Sequence, residues 1–544
     1  MKQLIMVAFA LPFLTACQTN QPDYEASVPD IGERVEAYEP FKLTTDLDEL
    51  SADQREMLPL LFEAADIMND LFWEQAWGDK KALLENIEDE NLREFARINY
   101  GPWDRLKDNE PFIKGIDPKP QGARFYPEDM TMEEFEALND HRKDEQYTII
   151  ERNKEGDLKV VPYHEKWEKE LNKASDLLKQ AAELADDEGF KKYLKARAEA
   201  LTSGDYYQSD MAWMDMKNNL IDFVVGPIET YEDGLLGNKT AFEAYILVKD
   251  KEWSAKLARF SLLLPGLQSS LPVDEAYKTE DPGSDSDLNV YDAIYYAGDC
   301  NAGSKTIAIN LPNDPDVQMK KGSRKLQLKN AMRAKFEKIL VPISKEVIHP
   351  SQQKYINFDA FFENTMFHEV AHGLGLNQTI NDKGPVREAL KETSSAIEES
   401  KADILGLYMV TQLAEMGELE DKDLMTNYVT FMAGIFRSVR FGASSAHGKA
   451  NMIRFNYFLD KEAFKRDSET GTYKINFENM KQANRDLSEE ILRIQGDGNY
   501  QKAKTMIENM GIINDDLNSD LDQINNAGIP VDIVFEQGPD VLDL

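Results

Sequence analysis

Six histidines in 544 residues leave few places for imidazole chemistry, and two of them stand four apart. His368 and His372 bracket Glu369-Val370-Ala371. Residues at that spacing share one face of an α-helix, so both rings can present a nitrogen to a single ion. Glu369 sits about 100° round the helix, beside that ion, where a carboxylate can take a proton from water. Two ligands flanked by a general base are the pattern of a zinc hydrolase. The set needs a third ligand. Glu399 lies 27 residues beyond His372 (399 − 372 = 27), which lets one helix end at Gly373-Leu374-Gly375 and a second return alongside it. His, His and Glu would leave one position open for water, as catalytic zinc requires. Asp403, one turn on from Glu399, faces the same way and can accept a hydrogen bond from the other nitrogen of a ligand imidazole.

The elements that must hold these residues follow from hydrophobic period. A helical stripe beginning near residues 46–53 runs through Leu58, Leu61, Ala65, Met68 and Phe72, and helical period returns from Tyr163 to about Thr202. Tyr147 to Ile150 and Leu158 to Pro162 predict two short strands around a turn at 153–157. Gly226 to Asp233 and Phe242 to Ile246 alternate and are rich in aromatics, which predicts extended chain with Glu229 and Tyr231 on one face. Thr306 to Asn310 predicts a strand stopped by Pro312. From Ser323 to about Met510 the pattern reads as almost entirely helical, interrupted at 442–451, and 529–535 predicts a last strand.

These elements imply an α+β protein of two lobes with a cleft between them. A mixed lobe with a small β-structure covers 45–322, and a mainly α-helical zinc-binding lobe covers 323–510. Residues 511–544 return to the first lobe. A composition of 42% hydrophobic and 30% charged residues is that of a globular chain, not a disordered one. The formal charge is -37, from 62 Lys+Arg against 99 Asp+Glu, which argues against a nucleic-acid partner or an anionic lipid surface.

The amino terminus carries a targeting pattern. Met1-Lys2-Gln3 is a short basic start, Leu4 to Leu14 an apolar run too short to span a membrane, and Leu14-Thr15-Ala16 places small residues before Cys17. This resembles a bacterial lipoprotein signal. The resemblance implies a signal peptide over 1–16 and a lipid on Cys17, with an ordinary cleaved secretion signal as the alternative; the polar, Pro-containing stretch over 17–44 reads as a tether. Gln18 after the cysteine suits an exported lipoprotein on the periplasm-facing outer membrane of a two-membrane cell. Cys300 is the one other cysteine, so a lipidated Cys17 leaves no intrachain disulfide.

The two metal motifs together resemble the dipeptidyl peptidase III family of zinc metallopeptidases, whose second signature is Glu-Glu-x-x-Ala-Asp/Glu, here Glu398 to Asp403. G-P-I-E-T-Y-E-D at 226–233, F-E-A at 242–244, N-L-P-N at 310–313 and A-H-G-K-A-N at 446–451 follow in family order, so the resemblance spans roughly 58–457. It implies one zinc ion on His368, His372 and Glu399, with Glu369 as general base and Glu398 and Asp403 supporting the ligands. It implies further that His447 and Tyr231 stabilise the tetrahedral intermediate, and that Glu229, Asn310, Asn313 and Glu243 receive the free amino end of a short peptide. Zinc polarises the scissile carbonyl and acidifies water, and two donors meet the developing oxyanion. An ammonium end calls for carboxylate charge and side-chain carbonyls, which Glu229, Asn310 and Asn313 carry.

The activity so implied is release of dipeptides from unblocked amino ends. A zinc endopeptidase or other hydrolase with the same ligands, and a non-catalytic peptide-binding lipoprotein, are the alternatives. The chain departs from many family members in the plain five-residue spacing of His368 and His372, in Ser400 and Lys401 where Cys-Arg is common, and in Asn451 where some carry Arg. The plain spacing needs no distortion of the helix to bring both rings to one ion.

Overall fold

The computed structural model describes residues 24–280, 282, 286–419 and 423–544; the signal pattern and Cys17 lie outside the described residues. Helix α1 (Ala52–Ala76) starts at a capping box: Ser51 Oγ accepts from Gln54 N at 3.1 Å, and Gln54 Oε1 accepts from Ser51 N at 3.0 Å. Its apolar stripe packs on a five-stranded sheet made of β1 (Ile221–Glu229), β2 (Ala241–Lys249), β3 (Ser286–Gly298), β4 (Ala308–Leu311) and β5 (Ser323–Leu328). The spatial order is β1-β2-β3-β5-β4. β5 runs parallel to β3, and β4 is an edge strand antiparallel to β5, with Lys325 opposite Asn310.

Beyond the sheet the chain is mainly helical. Helix α2 (Phe358–Ala371) carries the histidine motif, α3 (Ser394–Glu415) carries Glu399, and α4 (Leu424–Val439) and α5 (Ala446–Asp460) pack around them. Two hydrophobic cores result. One joins α1 to the sheet; the other joins α2 to α5 and the following helices, and among the described residues partly buried Ile307 packs against both. This is the two-lobed α+β arrangement, and a separate hairpin pairs Thr148–Arg152 with Leu158–Pro162 in the first lobe. Among the described residues no helix is long and apolar enough to cross a membrane.

Four expectations need correction. Helical character does not begin at Ser323: Ser323–Leu328 is strand β5, inserted into the sheet of the first lobe. Its place is set by pairing with β3 and β4, and its six residues run straight into the helix that starts at Lys329. Residues 24–44 are not a free tether. Ala26 bridges Ile113, and Tyr38–Lys42 pairs in parallel with Asp532–Glu536, burying Tyr38 and Leu43. The interruption expected over 442–451 ends at Ser445, whose Oγ accepts from Gly448 N at 3.0 Å and starts α5, so His447 and Asn451 are helical. Finally, Tyr231 does not share a strand face with Glu229. A bulge between Pro227 and Glu229 ends β1, and Asp233 gathers the amides of Leu235, Leu236, Asn238 and Lys239, which turns the chain there.

Candidate metal centre

Helix α2 opens where Asn357 accepts from Ala360 N at 3.0 Å, and its buried Phe361, Phe362, Met366 and Phe367 fix its rotation in the second core. That rotation sends His368 and His372 toward α3. The helices approach closely because Gly406 on α3 faces the backbone of His368 without a side chain. One ligand atom from each of His368, His372 and Glu399 then lies within 4.8 Å of the others.

The far nitrogens are held in place. His368 Nδ1 lies 2.7 Å from Asp403 Oδ1, and His372 Nδ1 lies 2.8 Å from Glu398 Oε1. Each carboxylate holds a ring at Nδ1 and turns its Nε2 toward the cluster, where a metal can take it. Asp403 is paired in turn with buried Arg454, which donates to Asn451 Oδ1 at 2.6 Å, and Asn451 donates to Ser438 Oγ and to His447 O. Glu398 is held by Lys401 at 2.9 Å and by Gln495 at 2.9 Å. Lys401 also donates to the carbonyls of His372 and Leu374, satisfying the end of α2.

Glu399 Oε2 lies 3.4 Å from His368 Nε2, 4.0 Å from His372 Nε2 and 3.1 Å from His447 Nδ1. It is buried, yet none of these approaches has hydrogen-bond geometry. An orphaned carboxylate oxygen facing two Nε2 atoms is a donor set that fits a cation. The local field agrees. Burial would lower His368, but Asp403 and Glu399 outweigh it and raise the ring to about 10, so the pocket favours positive charge. For Glu398, burial acts upward, while Lys401 and His372 hold it down at about 2.

The amino-end candidates gather at the sheet. Glu229 ends β1, where Asn313 Nδ2 donates to Ile228 O at 3.2 Å. Asn310 is exposed on edge strand β4, and Glu243, 2% exposed on β2, is the register partner of both Gly226 and Gly298. Asp299 follows Gly298 and completes an acidic group. Burial first, then Asp299 and Glu229, push Glu243 well above the carboxylate range, and burial raises Glu229 despite its bond from Asn313. The nearby cations, Arg105 and Lys119, both bind Glu232 at 2.7 Å. His447 reaches the metal cluster from α5, with its ring centroid 6.0 Å from that of His368. Tyr231 is 84% exposed in the turn after β1, where Glu229 first, then burial, Asp299 and Glu243, raise its phenol.

Sequence reasoning missed Arg454, Asp299 and Lys325. Arg454 lies seven residues beyond His447 on one helix, two turns along the same face, so helical period could have found it. Lys325, whose Nζ donates to Glu369 Oε2 at 3.0 Å, is visible only through the order of the strands.

The chain also matches proteins already known. The solved structure of DPP III from Caldithrix abyssi is 39% identical with a TM-score of 0.88, covering 93% of this chain and 98% of that one. This chain belongs to the dipeptidyl peptidase III family. The model for Peptidase family M49 matches residues 128–386, a span that includes both histidines and stops short of Glu399. Dipeptidyl-peptidase III from Corallococcus sp. strain EGB is 36% identical with a TM-score of 0.75, covering 93% of this chain and 97% of that one. Among curated relatives, a protein of Arabidopsis thaliana named Nudix hydrolase 3 is 35% identical over 582 residues, 95% of this chain and 74% of that one. As a dipeptidyl peptidase III family member, the protein is a metallopeptidase.

Proposed function

We propose that this metallopeptidase is zinc-dependent and releases dipeptides from the free amino end of short peptides. The observation that carries the proposal is the metal cluster: two Nε2 atoms and an orphaned Glu399 oxygen converge while separate carboxylates hold both Nδ1 atoms. A zinc ion bound by His368, His372 and Glu399 would polarise the scissile carbonyl and acidify a water beside it. Glu369 takes the proton at its carboxylate and passes it to the leaving amine. His447 donates to the oxyanion from α5, and Tyr231 joins it when the lobes close over a substrate.

The exopeptidase part rests on the sheet. Strand β4 is an open edge to which a peptide can add as a further strand, with Asn310 and Asn313 beside its path. Glu229 and Glu243 supply the charge that an ammonium end requires. The name Nudix hydrolase belongs to the plant relative; in this chain the metal cluster and its flanking base support peptide hydrolysis.

Mature protein incubated with an unblocked pentapeptide is expected to release dipeptides, and chelation or Glu369→Gln to stop it. Equal cleavage of the N-acetylated peptide overturns the exopeptidase part in favour of an endopeptidase, a case in which Glu229→Ala leaves KM unchanged. Protein purified without chelator and free of zinc, with no hydrolysis, points to a non-catalytic peptide binder. The lipid anchor proposed at Cys17 predicts incorporation of labelled palmitate that Cys17→Ser abolishes.

A further inference from the structure

The carboxylate of Glu369 is held from the other lobe. Lys325 Nζ donates to Glu369 Oε2 at 3.0 Å and to its backbone oxygen at 3.3 Å. Glu369 belongs to α2 in the second core, whereas Lys325 belongs to β5 in the sheet. The pair therefore joins the lobe that carries the metal ligands to the lobe that carries the amino-end candidates. It is no ordinary surface pair, since the side chains are 13% and 23% exposed and the lysine grips two oxygens of one residue.

The register of the sheet gives this contact a direction. Lys325 is the partner of Asn310 across β5 and β4, and residues directly opposite on an antiparallel pair project to the same face. Arg324 and Leu326, its neighbours along the strand, are fully buried and project to the opposite face. One residue thus stands beside the amino-end anchor at Asn310 and reaches the base at Glu369. It takes Oε2 and leaves Oε1 for the proton transfer.

We infer that Lys325 is a positioning residue that fixes the Glu369 carboxylate relative to the amino-end anchor at Asn310, and so sets which peptide bond meets the base. The inference rests on the proposed dipeptide-releasing function. Two extended residues span about 6.6 Å, so a base that swings by half a residue can serve the wrong bond. A misplacement of 1 Å in a reacting geometry costs on the order of a hundredfold in rate.

The test compares the full-length enzyme with Lys325→Met, which keeps length and loses charge, and Lys325→Arg, which keeps charge. The readouts are kcat and KM on an unblocked pentapeptide and product lengths by mass spectrometry. For Lys325→Met we expect kcat to fall at least tenfold, KM to stay within about twofold, and single residues or tripeptides to appear beside the dipeptide; Lys325→Arg regains most of the loss. Zinc content and the unfolding midpoint are measured on the same samples and are expected to match the wild type. Unchanged kcat with dipeptide alone in Lys325→Met overturns the inference, and so does a loss of activity that tracks a loss of zinc or of fold. Failure of the proposed function shows in the wild type instead. Equal cleavage of the N-acetylated peptide overturns the role in choosing the bond, and a wild type inactive on both peptides overturns the inference together with that function.

Discussion

Gly406→Ala tests how closely the two helices that carry His368 and Glu399 must pack. A methyl group at Gly406 would lie 2.9 Å from His368 N, 3.0 Å from Phe367 C and 3.2 Å from His368 Cα. These are backbone atoms of α2 and cannot swing aside, so reaching an ordinary contact of about 3.5 Å needs the helices to part by roughly 0.5 Å. Overpacking of this kind costs about 1–3 kcal/mol, against roughly 1 kcal/mol gained when Ala replaces Gly inside a helix. The net change in stability is thus small, about 0–2 kcal/mol. Parting α2 from α3 also carries His368 on the one away from Glu399 on the other. If about 1–2 kcal/mol of strain is relieved by loosening the metal, affinity falls roughly five- to thirtyfold. Competition against a chromophoric chelator measures this directly. Gly434→Ala on α4, where an added methyl meets nothing within 4 Å, is the control and is expected to leave zinc affinity unchanged. An affinity for Gly406→Ala within twofold of wild type would refute the idea that this close approach sets the ligand geometry.

Further outcomes follow from other contacts. Asp403→Asn removes the charge that Arg454 and His368 share and is expected to weaken zinc binding by about 10- to 100-fold in the same competition assay. Asp299 faces Glu232, Glu229, Glu243, Arg105 and Lys119; burial first, then Glu232, push it up from 3.8 to about 7, against Arg105 and Lys119. A folded value above the unfolded one gives stability that is complete below about pH 4 and lost as pH rises through about 7. Asp299→Asn should therefore melt above the wild type at pH 8 and level with it near pH 4, and a difference that does not change with pH contradicts this. Gly298→Ala, with φ at 77° and a methyl only 2.2 Å from Phe242 O, should displace Glu243 and raise KM for unblocked peptides more than it lowers kcat.

The clustering of His368, His372 and Glu399 was legible because its signal is local: two residues four apart, then an acidic turn on the next helix. Asp403 could be placed by the same helical period. Tyr231 was misplaced because counting by two along a strand fails at a bulge, and the one at Pro227–Glu229 ends the alternation. β5 was hidden because its six residues run straight into the helix that starts at Lys329 and its pairing with β3 and β4 has no local signature. Lys325 lies 44 residues from Glu369 and meets it only because β5 enters the sheet between β3 and β4, an order that no local pattern encodes. The strand at Tyr38–Lys42 escaped for the same reason, since its partner is at the far end of the chain.

That last pairing has a consequence for how the protein is made. Tyr38 and Asp532 are register partners 494 residues apart (532 − 38 = 494), and Asp532 also accepts from Ser304 Oγ at 2.5 Å and from Lys335 Nζ at 3.1 Å. The lobe that is synthesised first therefore lacks one of its own strands until the final stretch of chain is delivered. During synthesis the helical lobe has its core residues in place by about residue 529, while Tyr38–Lys42 waits for its partner strand Asp532–Glu536 in their own two-stranded sheet. Order of emergence and order of completion run in opposite directions, and a chaperone guarding the nascent chain would meet the unfinished edge near its amino-terminal end.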